Sequence, residues 1–87
     1  MGAIQERNNL IDKAIVEYKI CHDKYFPNGR ALTDDEWTNF INKMDSIAEK
    51  YKNTSIELLS GKLCMAFLDD MEIIHRAWVE KKKLNRE

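Results

Sequence analysis

A single proline, Pro27, interrupts this chain, and its glycines stand far apart at Gly2, Gly29 and Gly61. An all-β fold needs many turns and therefore many breakers. Their scarcity over 87 residues predicts a few long, uninterrupted elements, and apolar spacing identifies them as helices. The expected fold is an all-α three-helix bundle.

In the first helix, predicted over residues 3–25, Leu10, Ile11, Ala14, Ile15, Tyr18, Cys21 and Tyr25 recur three and four positions apart. That spacing puts them on one face. Pro27 disfavours helical geometry in the residue before it, and the Asn28-Gly29 dipeptide supports a turn. The linker continues through Ala31 and Leu32.

Thr33, Asp34, Asp35 and Glu36 form a capping box. The Thr33 hydroxyl accepts from the Glu36 amide, while the Glu36 carboxylate reaches back. The second helix, predicted over 34–52, then carries Trp37, Phe40, Met44, Ile47 and Tyr51 in a single stripe. Thr54, Ser55, Ile56 and Glu57 repeat the capping pattern, which starts the third helix, predicted over 55–83. Gly61 costs that helix about 1 kcal/mol relative to alanine and marks a kink or split point. Lys81, Lys82 and Lys83 suit its negative C-terminal end.

At this length there is room for one domain, residues 1–87, with 1–3 and 84–87 as frayed ends. A chain so short buries only about 60–65% of its unfolded surface, and association is a common remedy. Its 14 basic and 15 acidic residues give a net charge of −1, which argues against coating nucleic acid. The basic tail reads as a solvated helix end. No apolar run is long enough to span a bilayer. The opening residues lack the character of a secretion signal, and Glu6 stands where a myristoylation motif wants Ser or Thr. Two cysteines, Cys21 and Cys64, read as reduced core thiols of a cytoplasmic protein.

The third helix carries more apolar residues than one stripe requires. Ile56, Leu59, Leu63, Ala66, Phe67, Met71, Ile73, Ile74, Ala77 and Trp78 cover about half its circumference. Gripping two neighbours accounts for that breadth. Leu58, Met65, Leu68 and Val79 project outside it, as Val16 and Ile20 do on the back of the first helix. These six are the candidate interface, with a homodimer the simplest symmetric assembly.

Asp70 falls inside the apolar half of the third helix, so it is expected to be buried and paired. Trp37, Tyr18, Tyr51 and Arg7 are the donors on core-facing stripes. Glu72 and His75 have the Glu-x-x-His spacing of helical di-iron sites, but they point poorly into a bundle. The consecutive Cys21, His22 and Asp23 diverge around a helix by about 100° each and cannot converge on one atom.

The sequence therefore reads as a cytoplasmic, non-enzymatic interaction or regulatory protein that docks a protein partner or itself and needs no cofactor. Compact helical chains of this kind are common among bacteriophage and mobile-element accessory proteins. The alternative is a small helical enzyme or metal-binding protein, assembled across a dimer on Asp70 or on Glu72 and His75.

Overall fold

Three α-helices make up the computed structural model: α1 over Gly2–Tyr25, α2 over Asp34–Lys50 and α3 over Glu57–Arg86. The structure describes residues 2–27 and 31–86, and side chains through residue 80. The Asn28-Gly29 turn and the Lys81 to Lys83 side chains lie outside the described residues. The fold is all-α, every helix packs on both others, and none is long and apolar enough to cross a membrane.

The predicted capping box opens α2. The Thr33 hydroxyl accepts from the Glu36 amide at 3.1 Å, and the Glu36 carboxylate accepts from the Thr33 amide at 2.9 Å. The second box does not form. Asn53 leaves α2 in the left-handed region, φ 64°, which asparagine tolerates better than most residues. Its amide, not that of Thr54, donates to the Glu57 carboxylate at 2.6 Å. The Thr54 hydroxyl instead donates to the Tyr51 carbonyl at 2.6 Å. This turn ends α2 at Lys50 and delays α3 to Glu57, two residues from the expected boundary at each side.

The helices run up, down and up. Glu17 of α1 meets Tyr51 at the C-terminal cap of α2, and Tyr25 meets Phe40, so α1 and α2 are antiparallel. Cys64 of α3 meets Met44, and His75 meets Trp37, so α3 reverses again. Consequently α1 and α3 are parallel, with Tyr18 level with Ser60 and His22 level with Phe67.

Tyr18, Phe40, Met44, Ile56 and Met71 are fully buried at the centre, closed off by Leu32 below the α2 cap. At one margin the Tyr51 hydroxyl donates to Glu17 at 2.7 Å, and Lys50 bonds the other carboxylate oxygen. Partial burial pushes the Glu17 carboxyl up, but the bonds from Lys50 and Tyr51 outweigh it and hold it below 4.5. Burial, then the bond and charge of Glu17, push the Tyr51 phenol up to about 12.

The inward face of α3 is not the centre of its apolar sector. Ser60, Cys64 and Met71 point inward, and Leu68 packs on the core, whereas Ala66, Ile73 and Ala77 are exposed. At about 100° per residue, this face is rotated by roughly 60–70° from the middle of the apolar sector. Small side chains explain the choice: Ser60 and Cys64 let α1 and α2 approach α3 closely, and Ser60 satisfies the buried Tyr18 hydroxyl at 2.7 Å.

Gly61 neither splits nor ends α3, which is continuous from Glu57. A Cβ built there meets nothing within 4 Å. Gly61→Ala should therefore stabilise the fold by about 0.5–1 kcal/mol, read as a higher urea midpoint at unchanged slope. A lower midpoint would mean that the glycine serves a conformation other than the helix.

Candidate functional site

The rotation of α3 decides where Asp70 lies. Contrary to the expectation of burial, its side chain is 58% exposed, at the margin where α3 meets α1. It is nonetheless paired. Its carboxylate lies 2.8 Å from Nε2 of His22, a buried ring one turn beyond Tyr18 on α1. Phe67, Phe26 and Phe40 surround that ring at centroid distances of 5.4, 5.8 and 6.5 Å. A ring so enclosed needs polar partners: Asp70 bonds its Nε2, and Asp23 stands 3.8 Å from its Nδ1.

None of the four donors suggested by the sequence fills this role. Tyr18 is taken by Ser60, Tyr51 by Glu17, Trp37 stacks on His75, and Arg7 is exposed. The signal for His22 was present: it follows Ala14 and Tyr18 at four-residue steps, along the same inward row. The divergence of Cys21, His22 and Asp23 excludes a shared ligand site but does not by itself assign His22 to this row. Cys21 faces the core as a free buried thiol, and Asp23 pairs with Lys19 on the outside at 3.4 Å.

Glu72 and His75 diverge. The Glu72 carboxylate bonds Arg76 at 2.5 Å, while the His75 ring stacks on Trp37 with centroids 5.3 Å apart. Among the described residues no group of three His, Cys, Asp or Glu is placed to hold a metal ion. Burial pushes the thiols of Cys21 and Cys64 up, away from the reactive thiolate form. The Cys64 thiol also reaches the Met44 carbonyl at 3.7 Å.

What the bundle offers outward is apolar. Of the six candidate interface residues, Leu58 is 82% exposed, Ile20 62%, Met65 57% and Val16 53%. Val79 is half-buried, and Leu68 is withdrawn into the core contacts. The four exposed residues do not share one face. On α3, Leu58 and Met65 flank the side that meets α2, beyond Cys64 and Leu68; Val16 and Ile20 occupy the back of α1.

A second set is more continuous. Ile15 of α1 and Phe26 just past its end, with Ala66, Ile73 and Ala77 of α3, are exposed and border the α1–α3 seam on either side of Asp70. An open apolar groove of about 250 Å³, lined by Ile73, Ile74, Ala77 and Trp78, continues this strip. Ile15, Ala66, Ile73 and Ala77 all belong to sectors that the sequence assigned to the core. The rotation of α3 turned Ala66, Ile73 and Ala77 outward, while Ile15 lies at the edge of the inward row of α1.

No protein-family model, curated protein or solved structure matches this chain.

The His22–Asp70 bond predicts a graded response. Asp70→Leu leaves Nε2 without its acceptor and should destabilise the fold by about 1–2 kcal/mol. Asp70→Asn retains an acceptor and should cost less than half as much. Urea unfolding of both variants checks this, and a leucine variant as stable as the parent would remove the pairing from the account.

Proposed function

We propose that this chain is a non-enzymatic, helical protein-interaction module of the cytoplasm that works by self-association, with the homodimer as its simplest form. The observation that carries this reading is the strip of exposed apolar side chains along α1 and α3, including Ile73 at 67% exposure and Ile15 at 40%. Aligned large apolar residues are uncommon on the surface of a monomer and mark a place where another macromolecule sits.

Shape supports the same reading. A compact chain of 87 residues has a radius of gyration of about 12 Å; this one has 15.7 Å, in an envelope of 61 × 19 × 17 Å. The residues of the competing enzyme or metal-binding reading have structural duties: Asp70 holds His22, Glu72 holds Arg76, and His75 stacks on Trp37. Reduced, buried Cys21 and Cys64 fit the cytoplasm. A balanced net charge of −1 gives no general attraction to nucleic acid. A phage or mobile-element accessory role suits a small adaptor of this type.

Leu58 and Met65, seven residues apart on the other flank of α3 and exposed, mark a second surface, suited to a different protein.

Sedimentation velocity across the micromolar range tests the proposal. The expected result is a concentration-dependent rise from the mass of one chain, 10.3 kDa, to that of two. A single chain at every concentration would refute self-association.

A further inference from the structure

We infer that the self-associating surface is the α1–α3 face and that its occupant is a second copy of this chain laid antiparallel across it, α1 on α1 and α3 on α3. This rests on the reading above and adds the face, the orientation and the pairs.

The argument begins with the order of residues along that face. On α3, Leu59, Lys62, Ala66, Asp69 and Ile73 follow one another: apolar, basic, small, acidic, apolar. A two-fold axis beside Ala66 superposes this series on its own reverse. Leu59 then meets Ile73 of the partner subunit. Lys62 approaches the partner's Asp69 from the same side of the helix. The methyl groups of the two Ala66 residues meet at the axis, where the helices need to come closest. Lys62 and Asp69 are exposed, and neither has an ion-pair partner among the described residues.

Independently, α1 has the same symmetry. Ile15, Lys19 and Asp23 of α1, with Phe26 just past its last residue, also read apolar, basic, acidic, apolar, and all four are exposed. Their centre of inversion lies between Lys19 and Asp23, at residue 21. His22 contacts Phe67 at 5.4 Å between ring centroids and Tyr18 meets Ser60 at 2.7 Å, so residue 21 of α1 stands within about one turn of residue 66 of α3. The two centres therefore lie close to one axis. A face whose two helices each match their own reverse about a shared axis is self-complementary, as an isologous interface must be. A parallel arrangement would set lysine against lysine and aspartate against aspartate.

The apolar positions supply burial, and the lysine and aspartate tiers fix the direction.

Charge reversal tests this with two variants, Lys19→Glu with Lys62→Glu, and Asp23→Lys with Asp69→Lys. All four side chains are exposed, and circular dichroism verifies that each variant folds. Light scattering after size exclusion should find the parent chain dimeric, each variant alone at least tenfold weaker in association, and an equimolar mixture dimeric again. If both variants dimerise like the parent, or the mixture fails to reassociate, the inference falls. A third variant, Leu58→Glu with Met65→Glu, should dimerise normally. Loss of the dimer there alone would place the contact on the α2–α3 flank, overturning this inference while leaving self-association intact. A monomeric parent would overturn both.

Discussion

Two polar contacts set the register of α3 against α1, and the outer surface follows from that register. In the interior the Tyr18 hydroxyl and the Ser60 hydroxyl meet at 2.7 Å, both buried. At the margin His22 and Asp70 meet at 2.8 Å. Helix packing alone leaves a long helix several ways to rotate and slide, because ridges fit grooves at more than one setting. A buried hydroxyl has no such freedom. Unpaired, it costs about 1–3 kcal/mol, so the setting that pairs Tyr18 with Ser60 is preferred over its neighbours. The same setting brings Asp70 to His22.

This choice has a consequence on the outside. Turning Ser60 and Cys64 inward necessarily turns Ala66, Ile73 and Ala77 outward, because all five are fixed to one rigid helix. The bundle gains close approach at its centre and leaves apolar surface along the α1–α3 seam. The cost of that exposed surface is most simply offset when a second molecule covers it. Interior polar pairing and an exposed apolar seam are thus two sides of one rotational setting.

Much of this architecture was legible in the residues. Sparse breakers and three- and four-residue spacing specified the helix count, and Thr33 with Glu36 located the start of α2 to the residue. The start of α3 was less legible. Thr54 and Glu57 have the same chemistry as Thr33 and Glu36, but the left-handed turn at Asn53 shifts the carboxylate to a different amide. The rotation of α3 could not be read from hydrophobicity at all. Periodicity finds the middle of an apolar sector, whereas the packed face is chosen by side-chain size and by the partner of a tyrosine 42 positions away. That one displacement accounts for Asp70 lying outside, Leu68 lying inside and Ile73 being exposed. His22 was missed for a different reason: the divergence of Cys21, His22 and Asp23 around the helix excludes a shared site but does not say which of them joins the aromatic core.

The central claim, a face-to-face antiparallel pair centred near Ala66, is tested most directly by distances between copies. A nitroxide is placed at position 65, exposed and outside the proposed contact, or at position 80 of a chain whose Cys21 and Cys64 are replaced by alanine, and dipolar coupling is measured in solution. With helices packed about 8–10 Å apart, the labels at 65, one residue from the axis, should lie within about 25 Å of each other. Those at 80 sit fourteen residues from the axis in each copy, so they should be about 40 Å apart at 1.5 Å per residue. Long or absent coupling at 65, or a short distance at 80, would contradict the account.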